Sequence, residues 1–153
     1  MYHVLLPVAL LTGGLAAGAL VMSALGGAPL LLALPVDNYV PVHKFLVTRF
    51  DPFMPACLIT ALLCDIGLAV TNPTTVTRIV AGVFAAVYLC VVYVSVTKNV
   101  PINKWVATLD PDNLPADWES VDPRKRWRDW NLVRTSFATL GLAGNVLLVG
   151  ILL

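Results

Sequence analysis

Few side chains in this sequence are equipped for chemistry, and they fall into a small number of places. His43 is one of only two histidines, and an imidazole with an ordinary pKa near 6.5 is the natural general base close to neutral pH. Arg134 offers a permanent charge and five N–H donors suited to holding an anion or a carbonyl oxygen. It belongs to a run in which Trp127, Asn131, Arg134, Ala138, Gly141 and Asn145 recur at alternating spacings of four and three, which places all six along one seam of a helix. Two roles are open to that seam. Asn131 and Asn145 could be interhelical hydrogen-bond partners worth roughly 0.6–2 kcal/mol each, with Gly141 allowing close approach; alternatively, Trp127, Asn131 and Arg134 line the mouth of a cavity. Asn99 and Asn103 flank Pro101, which removes a backbone donor and frees carbonyls, so their amides either cap those carbonyls or point into the same mouth. Tyr93 and Thr97, one turn apart, would extend a polar face toward it.

Other polar groups stand alone. Asp65 and Arg78 would come to similar depth across a tight hairpin, and intramembrane charges generally pair, so a structural ion pair is expected. A proton pathway is the sharper alternative, but no chain of further carboxylates accompanies the pair. No metal site is expected, because there is no Cys-x-x-Cys or His-x-x-x-His pair and His3 lies far from His43. Cys57, Cys64 and Cys90 all lie in apolar runs and are expected to be buried thiols.

The elements that must position these groups are apolar. The chain has 153 residues, 58% hydrophobic and 12% charged, against about 45–50% and about 25% in soluble domains, and its mean hydropathy is +0.82. The bilayer is the expected solvent, and the net charge of +1 gives nucleic-acid binding no support. Four runs, at about 4–25, 52–70, 75–96 and 130–153, each approach the roughly 20 residues needed to cross the hydrocarbon core. The expected fold is all-α, an integral membrane four-helix bundle forming a single transmembrane domain over residues 1–153. The first run lacks the basic n-region of a secretory signal peptide and is expected to remain as a helix. A short interfacial helix carrying His43 should follow it. Asp51-Pro52 should open the second span as N-cap and first helical residue, and Asn72-Pro73 should close the hairpin between spans two and three. A long loop with Trp105 and Trp118 joins spans three and four. Lys44, Arg49, Lys98, Lys104, Arg124, Lys125, Arg126 and Arg128 fall in or beside the first and third connections, with only Arg78 near the other side. The positive-inside rule therefore places both connections in the cytoplasm and both termini outside.

Three segments carry a family resemblance: Tyr39-Val40-Pro41-Val42-His43-Lys44; Lys98-Asn99-Val100-Pro101-Ile102-Asn103-Lys104 with the stretch from Trp105 to Trp118; and Arg128-Asp129-Trp130-Asn131-Leu132-Val133-Arg134-Thr135. In this order, on four apolar spans, they resemble the anthrone oxygenase-like membrane proteins. The resemblance implies a small membrane oxidoreductase that uses dioxygen and no evident organic cofactor to oxidise a lipid-soluble aromatic, anthrone- or hydroquinone-like. It implies His43, Asn103 and Arg134 as catalytic candidates, with Tyr93, Asn99, Trp127 and Asn131 around the substrate. Asn131 is a departure, since many relatives carry a histidine there, one turn after a tryptophan. The partners expected are the lipid bilayer and an apolar aromatic small molecule, and an oligomer is compatible with the sequence. A non-catalytic ligand binder or assembly partner is the alternative. An enzyme should show a closed pocket of roughly 300–1,000 Å³ where His43, Asn103, Trp127 and Arg134 converge, whereas a packing module should show the same side chains interdigitated without a void.

Overall fold

A computed structural model describes residues 2–152. It is an all-α, four-helix membrane bundle: among the described residues, four helices are long and apolar enough to cross a membrane. The first comprises α1 (Tyr2–Met22), a π turn (Ser23–Gly27) and α2 (Ala28–Ala33). A separate helix, α3 (Val36–Phe50), leads into the second span, α4 (Phe53–Thr71). The third comprises α5 (Thr75–Val94), a second π turn (Ser95–Asn99) and α6 (Val100–Thr108). After a loop containing the single turn α7 (Trp118–Val121), α8 runs from Arg124 to Leu152.

Two spans are longer than their apolar runs predict, for one physical reason. Pro29 and Pro101 would be expected to break their helices, but each is preceded by a π turn. There Ala28 N–H reaches back to Ser23 O and Val100 N–H to Ser95 O. Each proline therefore sits at the start of the next helical segment, where a missing N–H costs little. The second span corrects the expectation in the other direction. Asp51 donates its N–H to Val47 O and finishes α3, so it does not cap α4, which begins at Phe53 rather than Pro52. Asn72 behaves as a turn residue: its Oδ1 accepts the Thr74 N–H at 3.0 Å.

The four spans form a ring in which α1 packs on α4, α4 on α5, α5 on α8 and α8 on α1. Lipid tails are as apolar as leucine, so this ring depends on close packing rather than on a hydrophobic drive between helices. Ala16, Ala17, Ala61 and Ala138 accordingly sit at the centre with Leu20, Leu58, Tyr88 and Val91. Tyr88 occupies a slot between Gly13 and Gly141; a Cβ on Gly141 would lie 2.8–3.0 Å from its ring. Leu11, Leu63, Val70, Ile79, Leu89 and Val146 point outward, as a lipid-facing surface requires.

At the loop end the bundle carries a second layer. Tyr39, Val40, Ile102, Val106 and Trp127 pack α3, α6 and the start of α8 against α2. The carbonyls left over at two helix ends are taken by cations: Lys44 Nζ donates to Leu109 O at 2.8 Å, and Arg124 Nη1 to Leu34 O at 2.9 Å. Arg124 also pairs with Asp122 at 2.6 Å. Trp118 stacks on Trp105 with ring centroids 6.2 Å apart and meets Tyr39 at 6.0 Å, so both loop tryptophans pack onto this layer. These contacts fix α3, and with it His43.

Candidate functional site

His43 is buried, with 1% of its surface exposed, because α6 and α8 close over the inner face of α3. Its ring meets the edges of Tyr39 and Trp127, each at 5.3 Å between centroids. One atom organises its polar contacts. Asn103 Oδ1 accepts the indole N–H of Trp127 at 2.8 Å and lies 3.1 Å from His43 Nε2. An indole nitrogen only donates, so the Asn103 atom it meets is the carbonyl oxygen; that oxygen offers only lone pairs, so His43 Nε2 must carry the hydrogen. Nδ1 is left with a lone pair and no hydrogen-bond partner. Burial holds the imidazole below its ordinary pKa, and the bond to Asn103 offsets this only in part. A neutral His43 with one free basic nitrogen is the result.

Arg134 is 6% exposed, and neither of the two ion pairs among the described residues includes it. Its Nε and Nη2 both donate to Asn131 Oδ1, at 3.0 and 2.8 Å. The pair is one turn of α8 apart, so Asn131 aims the guanidinium. Nη1 makes no hydrogen bond to protein. Asn99 is also fully buried, and its Nδ2 donates to Trp127 O at 3.1 Å. Asn99 and Asn131 thus hold Trp127 and Arg134 from behind.

His43, Asn103, Trp127 and Arg134 line one cavity of about 180 Å³. Its remaining wall is mostly apolar and drawn from the first three spans and α3, including Leu20, Leu31, Leu46, Met54, Leu58 and Val92. Ser23 and Ser95, which open the two π turns, also line it, as does Asp51. The cavity differs from the expected pocket in two respects. It is smaller than roughly 300 Å³, because alanines and close helix packing draw the bundle tight beneath it. Nor is it closed, since Met22, Ile59 and Val96 line it while standing about half or more exposed on the lipid side. Asn99 and Asn131 do not line it.

Two sequence expectations are corrected outright. Tyr93 lies on the outer surface, 65% exposed, because the inward face of α5 carries Tyr88, Val91 and Val94 instead; it cannot stack on a ligand in this cavity. Asp65 and Arg78 form no ion pair: Arg78 is exposed and donates to Ala69 O at 3.0 Å. Asp65 sits six residues before the end of α4 and points into the bundle, fully buried with neither carboxylate oxygen hydrogen-bonded, whereas Arg78 is only three residues into α5 and faces out. The partners of Asp65 are Tyr88 and Asn145, close enough to act on it electrostatically. Cys57 and Cys64 are buried as expected, but Cys90 is exposed to the lipid side. Among the described residues no group of three His, Cys, Asp or Glu side chains could hold a metal ion. The polar cavity residues missed from sequence were Asp51, Ser23 and Ser95. Both serines stand six residues before a proline, a spacing that marks the two π turns.

Residues 44–144 match the family profile described as Anthrone oxygenase. The match takes in Asn103, Trp127, Asn131 and Arg134 and begins one residue after His43. No curated protein and no solved structure matches the chain. With about two thirds of its length inside that profile and the three quoted segments arranged around one cavity, this chain belongs to the anthrone oxygenase family.

Proposed function

We propose that the protein oxidises a lipid-soluble aromatic of the anthrone or hydroquinone type with dioxygen, without an organic cofactor. The observation that carries this reading is that a neutral histidine, a buried arginine in no salt bridge and an indole line one mostly apolar cavity. His43 takes a proton from the acidic C–H or O–H of the substrate. The oxygen that becomes anionic is stabilised by the N–H groups of Arg134 left free by Asn131, and Trp127 packs against the ring. Asn103 fixes the tautomer of His43, and Asn99 and Asn131 hold the groups in place. The electron-rich anion then reacts with dioxygen, which partitions into apolar space. For an anthrone, the two C–H bonds of the central carbon give way to a C=O bond; one oxygen atom enters the product and the other leaves with the two hydrogens as water.

The same reading places the cavity at the cytoplasmic end of the bundle, with both termini outside. Its support is the crowding of Lys44, Arg49, Lys98, Lys104, Arg124, Lys125, Arg126 and Arg128 at that end. A membrane location suits an apolar substrate, which reaches the site through lipid. The test is oxygen uptake by the purified protein in lipid vesicles with an anthrone or a hydroquinone. Uptake above that of empty vesicles, lost in His43→Ala, is expected. No uptake with any such substrate, or full turnover in His43→Ala, overturns the reading.

A further inference from the structure

The cavity is too small for the substrate that the family's description names, and it is open where a chain could leave it. A dry protein cavity of about 150 Å³ accepts one benzene ring; this one measures about 180 Å³ and ends in His43, Asn103, Trp127 and Arg134. One substituted ring fills that space, and three fused rings do not. Away from these residues the cavity opens between α4 and the third span, at the end of α5 and the π turn that follows it. Leu58 and Val92 lie inside, and Ile59 and Val96, 46% and 59% exposed, stand at the lipid surface while still lining the cavity. All four are apolar, so the seam suits an apolar chain.

We infer that the substrate is a single-ring hydroquinone with a long alkyl or isoprenoid tail, its ring in the cavity and its tail passing between Ile59 and Val96 into the bilayer. This rests on the oxidation proposed above and narrows its substrate. The step is balanced as a two-electron oxidation. His43 accepts one phenolic proton while Arg134 holds the phenolate; both O–H bonds break, the two electrons pass to dioxygen, and the two protons leave with it as hydrogen peroxide. The ring departs as the quinone. The tail makes no specific contact in lipid, so it acts by delivering the ring from the membrane and keeping its polar edge pointed at His43.

The experiment compares decylhydroquinone, methylhydroquinone and anthrone on the full-length protein in phosphatidylcholine vesicles, reading oxygen uptake and peroxide together, each corrected for uptake in empty vesicles. Decylhydroquinone is expected to exceed anthrone by at least about tenfold in kcat/KM, since a ring system that overfills a tight pocket is rejected by about that much, and one peroxide should appear per dioxygen. Ile59→Trp and Val96→Trp, which narrow this opening, should raise KM for decylhydroquinone about fivefold more than for methylhydroquinone, the pattern of lost access or binding rather than lost chemistry. Faster oxidation of anthrone overturns the inference and leaves the oxidation reading standing. Uptake with none of the three overturns both. Equal effects of the tryptophan variants on tailed and untailed substrates overturn the proposed route through the seam.

Discussion

Arg134→Met separates a residue kept for function from one kept for stability. The guanidinium is nearly fully buried, and its protein contacts are the two bonds to Asn131 Oδ1. A charged hydrogen bond to a substrate anion is worth about 1.5–3 kcal/mol, so at about 1.4 kcal/mol per decade the variant should lose about 10- to 150-fold in kcat/KM. Stability should move the other way or not at all. A buried guanidinium that makes no salt bridge, with Asp51 acting on it only at a distance, costs several kcal/mol in the membrane interior, whereas the two bonds surrendered at Asn131 return about 1 kcal/mol each. The assay is oxygen uptake against substrate concentration, paired with thermal unfolding in detergent. The expected outcome is a large loss of kcat/KM with Tm unchanged or raised, and partial recovery in Arg134→Lys. A variant within about twofold of the parent in kcat/KM refutes the anion-holding role, and a marked fall in Tm refutes the claim that this charge is a burden on the fold.

Four further outcomes follow from the same geometry. The reactive form of His43 is neutral and burial lowers its pKa, so kcat/KM should stay flat as pH falls to about 6.5 and decline only below it. Asn103→Asp sets a carboxylate against the Nε2–H, favours the imidazolium and should move that acid limb to higher pH in a pH–rate profile. Gly141→Ala drives a methyl into the Tyr88 ring and should cost about 1–3 kcal/mol, read as a lowered unfolding midpoint. Arg78→Ala should change stability by no more than about 0.5 kcal/mol, as for an ordinary surface residue, where breaking a buried ion pair would cost about 3–5 kcal/mol.

The spans and the α8 seam were legible because their signals are local. Trp127, Asn131, Arg134, Ala138, Gly141 and Asn145 keep one helical phase without interruption, and all six are buried. His43 could be named as a base but its burial could not be read, since the mixed pattern from Asp37 to Phe50 says nothing of α6 and α8 closing over it. Tyr93 was misplaced because the polar face it shares with Thr97 looks outward, both residues being exposed. The inward residues step from Val94 to Asn99, a gap of five that reports the π turn. The Asp65 to Arg78 pairing failed for a related reason: equal depth was inferred from sequence distance to the turn, while the face each residue occupies was not weighed. The cavity itself has no sequence signature, because it is the space left where five segments fail to meet.

The π turn at Ser95–Asn99 makes the length of this stretch matter more than its composition. In an α-helix each residue advances the face by about 100°, so adding one residue here, with no second bulge to absorb it, would swing α6 by that angle. Asn99 would leave the Trp127 carbonyl, and Asn103 would leave both the indole and the imidazole that share its oxygen. A three-nucleotide insertion would then dismantle the polar end of the cavity while preserving every one of its side chains.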